Sequence, residues 1–350
     1  MMTDYLVSKE NSMNATIQKE QGSQHNNSAD NSVFNLHNLK TSTNYITLNC
    51  FPIQLLGKYD QYLKSINFDC VCEFCPVEDK RHKRLRRYKH RNQKAYDGLS
   101  LRIELFLYPA KFPSTGITTK IFYPTKDLLY ALVRFFSIYL MPKINFIELT
   151  IDLYTQEQEK IQNFLVTHLF LKYNRTAPNH YKSTYYASSK VKSKGMRCYI
   201  KECIPGCPVR LELMLTRQVI RKLDLHLPIL DVQLNGLDLS NFFDFRSFDK
   251  HGYFALKLEK ERKRLFKEFS DTDCQRRRFT NDQYLQLYKQ HFISATESLF
   301  HDPDNDYEPR TVLGIYHQLK KVEKKPARFF IKLNDFSEAF FTALAGNKFL

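Results

Sequence analysis

Alternation of apolar and polar residues with a period of two recurs at four places in the chain. In residues 101–107, Leu101, Ile103, Leu105 and Leu107 fall on one side, while Arg102 and Glu104 fall on the other, as side chains on a strand do. In residues 146–154 the apolar set is Ile147, Leu149, Ile151 and Leu153, with Glu148, Thr150 and Asp152 opposite. Residues 195–202 place Met196, Cys198 and Ile200 against Arg197, Tyr199 and Lys201, and residues 209–215 place Val209, Leu211, Leu213 and Leu215 against Arg210 and Glu212. Each segment predicts a strand that buries one face and turns charge outward, the pattern of an antiparallel sheet covered by helices on one side. Taken singly, such charged faces also suit ordinary salt-bridge ladders in solvent.

Between these strands the spacing changes. Leu128, Leu129, Leu132, Val133, Phe136 and Ile138 predict a helix over 127–140, and a second is expected over 157–171. An earlier strand is expected from Tyr45, where Ile46, Leu48 and Phe51 follow. Beyond Arg217 the pattern is mainly helical, over 251–269, 282–298 and 312–321, with a last apolar helix near the C-terminus. Residues 1–43 are rich in Asn, Ser, Gln and Lys, with too few apolar residues to offset the entropy of ordering. The expected architecture is therefore α+β: a disordered polar tail (1–43), an antiparallel sheet with helices on one face (44–235), and a helical basic region (236–350).

Charge narrows the function. Lys and Arg number 53 against 37 Asp and Glu, a formal net charge of +16, which calls for a polyanionic partner, nucleic acid before an anionic membrane. Neither G-x-G-x-x-G nor G-x-x-x-x-G-K-[ST] occurs, so a Rossmann or P-loop nucleotide cradle is not expected. The first residues lack an apolar core with basic flanks, and the apolar stretch 128–141 is interrupted by Arg134, so a cytoplasmic protein without a membrane span is expected. The densest positive block, 78–94, includes Arg84, Arg86, Arg87, Lys89 and Arg91 around Tyr88. It reads as a phosphate-contacting element, with a solvated loop or a nuclear-localisation signal as alternatives. Arg276, Arg277 and Arg278, with Lys320, Lys321, Lys324 and Lys325, offer a second place for duplex contact. Cys70, Cys72 and Cys75, with His82 and His90 after them, suggest either a zinc site or free thiols, since only the Cys72–Cys75 pair has ligand spacing.

If the four alternating strands lie side by side, Glu104, Glu148, Asp152 and Glu212 gather near Tyr199 and Lys201. Clustered carboxylates call for a cation, and hard oxygen donors suit Mg²⁺ or Mn²⁺, which would polarise a phosphodiester. A tyrosine there is a candidate nucleophile, with Arg197 and Lys201 placed to stabilise its phenolate.

The same segments, in order, resemble the replication initiators of filamentous phages (the gene II family) and, more remotely, the plasmid Rep_trans initiators of rolling-circle replication. The resemblance runs over 99–231 through Ile103-Glu104-Leu105, Pro109-Ala110-Lys111, Ile147-Glu148-Leu149-Thr150, Ser183-Thr184-Tyr185-Tyr186, Arg197-Cys198-Tyr199-Ile200-Lys201, Val209-Arg210-Leu211-Glu212 and Leu223-Asp224-Leu225. It implies that Tyr199 is the catalytic tyrosine of a metal-dependent, site-specific DNA endonuclease and strand transferase. It also places Glu104, Glu148 and Glu212 on the family's acidic positions. Origin DNA, supercoiled or single-stranded, would be the substrate, and a host helicase and DNA polymerase the partners. Where plasmid initiators carry Asp after the tyrosine, this chain has Ile200. From the residues alone, a non-catalytic DNA- or RNA-binding protein is the alternative.

Overall fold

The computed structural model describes residues 38–76, 86–92, 102–107, 117–172, 178–181, 183–187, 195–257, 259–260, 286, 311–345 and 347–350. Ten strands form one sheet: β1 (Leu39–Phe51), β2 (Phe68–Pro76), β3 (Arg86–Asn92), β4 (Arg102–Leu107), β5 (Ile117–Phe122), β6 (Lys143–Leu153), β8 (Asn179–Tyr181), β9 (Thr184–Tyr186), β10 (Met196–Ile200) and β11 (Val209–Thr216). Their order is β2-β3-β4-β5-β1-β6-β11-β10-β9-β8, and every pairing is antiparallel. A smaller sheet joins β7 (Leu169–Leu171), β12 (Phe243–Phe248) and β13 (Phe330–Lys332) in the order β13-β12-β7. Helices among the described residues include α1 (Leu56–Ser65), α2 (Lys126–Ser137), α3 (Gln158–His168), α4 (Arg217–Lys222), α5 (Leu230–Asn235), α6 (Val312–Val322) and α7 (Asn334–Ala345), and residues 250–257 are also helical.

The four predicted strands are β4, β6, β10 and β11; among the described side chains their apolar positions are buried as expected, except Ile200 at the end of β10, which is half-buried. Ile147, Leu149 and Ile151 on β6 stand opposite Leu215, Leu213 and Leu211 on β11, so one continuous apolar face results. Helices cover that face. Tyr59 of α1 packs on Phe135 and Phe136 of α2, while α3 lies on β10 and β11 and α4 on β6 and β11. Thr125 caps α2, accepting from the Leu128 amide at 3.3 Å. Burying about ten Leu, Ile and Phe side chains here at roughly 1.5–3 kcal/mol each holds the helices on the sheet. The α+β architecture read from the alternation is thus the observed one.

Several elements differ from expectation. β1 begins at Leu39, inside the stretch assigned to the tail, because residues 39–43 pair with Leu153 through Leu149 of β6. The helix expected to reach 171 stops at His168, and the apolar run Leu169-Phe170-Leu171 becomes β7. Part of the basic block is a strand, β3, between β2 and β4, so the solvated-loop alternative does not describe residues 86–92. Beyond residue 236, β12 and β13 interrupt the helices: β12 pairs with β7 through Phe243–Leu171 and Phe245–Leu169, and β13 pairs with the other edge of β12. Asn38–Leu350 group as one compact unit. Among the described residues no helix is long and apolar enough to cross a membrane. Residues 1–37, the expected helix 282–298 save one residue, and Arg276, Arg277 and Arg278 lie outside the described residues.

His168 at the end of α3 bonds through Nδ1 to the Arg246 carbonyl of β12 at 2.8 Å, and burial holds its pKa below the ordinary value near 6.5. The neutral ring therefore contributes stability above about pH 6.5 that is lost as pH falls through the depressed value. His168→Asn keeps a donor without the titration. Its melting temperature should fall less than the wild type's between pH 7 and pH 5, and parallel losses would remove His168 from the acid response.

Candidate active site

The polar face of β6, β11 and β10 carries three rows of side chains. Arg197 stands opposite Glu212, which stands opposite Thr150; Tyr199 stands opposite Arg210, which stands opposite Asp152; and Glu148 stands opposite Met214. Diagonal neighbours on such a face are within reach of long side chains, so Arg197 meets both Glu148 and Glu212. Its Nη2 donates to Glu148 Oε2 at 2.6 Å and pairs with Glu212 Oε2. Tyr199 Oη donates to Glu212 Oε1 at 2.6 Å. A bulge in β1 between Thr43 and Tyr45 brings Asn44, whose Nδ2 donates to Glu148 Oε1.

These groups open onto a cleft of about 390 Å³. Tyr45, Phe122 and Phe146 form its aromatic wall, and Lys120 Nζ sits 3.6 Å from the Tyr45 ring centroid. Glu148 and Glu212 are each 1% exposed, whereas Arg197 and Tyr199 are half-buried and reach the cleft. The charged face was expected in solvent; here it is closed over, and its charges are compensated internally. Burial raises the Glu212 pKa and the Glu148 charge adds to this, against the pull of Arg197, the Tyr199 hydrogen bond and Arg210. Burial alone would lower the Arg197 pKa, but Glu212 and Glu148 together raise it.

The Tyr199 phenol pKa is pushed up, by burial first and then by Glu212, although Arg210 and Arg197 pull it down. Arg197 is spent on the two carboxylates, and Lys201 Nζ lies 5.8 Å from the centroid of the Tyr199 ring. The resting state is a neutral phenol hydrogen-bonded to a carboxylate.

The four predicted carboxylates do not gather. Asp152 is clasped by Arg210, whose Nε and Nη2 donate to its two oxygens at 2.7 Å each. Glu104 lies on β4, separated from β6 by β5 and β1, with Lys120 as its register partner. Among the described residues no three of His, Cys, Asp and Glu stand together as a metal site. Glu148 and Glu212 remain, with the Arg197 guanidinium between them where a shared cation would sit. The donor set as it stands does not fit Mg²⁺ or Mn²⁺.

Of the predicted DNA-contacting residues, Arg86, Arg87, Lys89 and Arg91 fall on β3, with Lys89 opposite Glu104 and Arg91 opposite Arg102 in the ladder; Arg84 lies outside the described residues. Cys70 and Cys72 fall on β2 opposite His90 and Lys89, and His82 lies outside the described residues. Sequence reasoning missed Asn44, Tyr45, Lys120 and Phe146. Only the placement of β1 between β5 and β6 brings them to the cleft.

The fold and site define an α+β protein whose antiparallel sheet carries a phenol–carboxylate–guanidinium cluster at the edge of an aromatic cleft. A solved structure of a rolling circle replication initiator protein from Geobacillus stearothermophilus is similar over 60% of this chain and 87% of its own, at 16% identity and a TM-score of 0.34. No family model matches the chain, and no curated protein does.

Proposed function

We propose that the protein is a DNA strand transferase that starts rolling-circle replication by nicking and rejoining origin DNA through Tyr199. The supporting observation is the half-buried Tyr199 hydroxyl held 2.6 Å from Glu212 at a cleft, in a chain of net charge +16. Nucleophile and proton acceptor within hydrogen-bond reach are what covalent catalysis needs. Attack at the origin leaves a 5′-phosphate on Tyr199 and a free 3′-OH for a host polymerase. The phosphotyrosyl bond retains the energy of the broken linkage, so rejoining needs no ATP. Strand separation falls to a host helicase, since the chain lacks a P-loop.

Incubating the protein with supercoiled or single-stranded DNA of its own replicon should give nicked product in a detergent-resistant protein adduct. Specific binding with neither nick nor adduct would leave a non-catalytic nucleic-acid-binding protein.

The basic block should supply affinity without sequence choice. Neutralising Arg84, Arg86, Arg87 and Lys89 should weaken binding to all duplexes alike and flatten the salt dependence by about 0.9 in log–log slope per lost phosphate contact. Origin preference should persist, because phosphate contacts position while base contacts specify. A filter-binding salt titration measures both, and an unchanged slope would move the contacts elsewhere.

A further inference from the structure

Resting on the reading of Tyr199 as nucleophile, we infer that Glu212 is the general base that takes the Tyr199 proton during attack. The geometry is that of a preset dyad. Glu212 Oε1 accepts from the phenol at 2.6 Å, and Oε2 lies in the ion pair with Arg197 without a hydrogen bond of its own. Glu148 and Asn44 in turn hold Arg197 and Glu148 from the far side. The carboxylate is therefore fixed, with one oxygen on the reacting atom and the other anchored. The groups facing it are Tyr199 and Arg197 on β10, Glu148 on β6, Arg210 on its own strand and Tyr45 on β1.

A neutral phenol is a poor nucleophile. Its elevated pKa means that ionisation before attack is unfavourable, so the proton must leave as the new bond forms. In the forward step the Tyr199 Oη–P bond forms, the P–O3′ bond breaks, and the phenolic proton passes to Glu212 Oε1. The 3′-oxygen is protonated from solvent. On rejoining, a 3′-OH attacks the phosphotyrosine, loses its proton to solvent, and Glu212 returns its proton to the departing Tyr199 oxygen. Arg197 acts as a positioning residue, fixing the orientation of Glu212.

The test combines Glu212→Gln with fluorotyrosine at position 199, in the full chain with its own origin DNA. Gln keeps the shape and accepts the phenolic hydrogen bond but does not take the proton. The adduct should form about 10²- to 10⁴-fold more slowly with DNA affinity retained. Replacing Tyr199 by 3,5-difluorotyrosine, a more acidic phenol, should restore roughly tenfold or more in the Gln background and little in the wild type. Glu212→Asp, still a base, should fall between. Full activity of Glu212→Gln would overturn the inference, as would rescue by excess Mn²⁺ and not by the fluorinated phenol, which would mark Glu212 as a metal ligand. Wild-type protein that forms no adduct would overturn the reading of Tyr199 itself, and is distinguishable because it precedes any variant.

Discussion

Tyr199→Phe should fold, bind DNA and lose the covalent step. The substitution removes one oxygen and leaves the ring beneath Lys201, so packing is preserved. The cost to stability is confined to Glu212 Oε1, which loses its donor at 2.6 Å, about 1–3 kcal/mol for a buried acceptor left unmatched. Nicking and adduct formation should drop by at least about 10³-fold, since no other atom on that strand replaces the nucleophile. DNA affinity should stay within about twofold, because phosphate contacts are carried by cations. The neighbouring tyrosines sort themselves by face. Tyr185 stands opposite Cys198, fully buried on the apolar side, whereas Tyr186 stands opposite Arg197. Adduct surviving in the Phe variant would therefore point to Tyr186.

The second large effect concerns the buried ion pair beside the site. Arg210 is 2% exposed and Asp152 takes both of its hydrogen bonds. Asp152→Ala strands a guanidinium in the sheet and should cost about 3–5 kcal/mol, whereas Asp152→Leu with Arg210→Met removes both charges and should lie near neutral. Urea denaturation of the two variants separates these outcomes. A small loss in the single variant would mean that Arg210 finds another partner or water. The double variant also probes the site, since Arg210 lowers the Tyr199 phenol pKa; without it the phenol rises and adduct formation should slow.

The sheet was legible where apolar residues alternate with polar or charged ones over five or more residues, as in β4, β6, β10 and β11. It was not legible where the signal was short or masked. β7 is three consecutive apolar residues and carries no period, so it read as the end of a helix. β3 alternates, but Arg86, Arg87, Lys89 and Arg91 present charge at both parities and hide it. β12 does alternate Phe243 and Phe245 with Asp244 and Arg246; helical neighbours on either side concealed it.

The site divides in the same way. Tyr199, Arg197, Glu148 and Glu212 come together because β6, β11 and β10 are neighbours, and alternation had already placed them on one face. Glu104 shares their pattern yet stands three strands from Glu148, because strand order is set by tertiary pairing and leaves no trace in alternation. The Tyr199–Glu212 hydrogen bond depends on register, and Asn44 on a bulge. Neither is visible until the partner strands are known. The identical outward pattern of Asp152 and Glu212 likewise hides two different fates, one closed on Arg210 and the other on Tyr199.

The most direct test of the central claim is mass spectrometry of the protein after reaction with its origin DNA and nuclease digestion. The expected result is a nucleotide remnant linked through a 5′-phosphate to the peptide bearing Tyr199. A remnant on Tyr186, on any other residue, or on none in the presence of nicked product would contradict it.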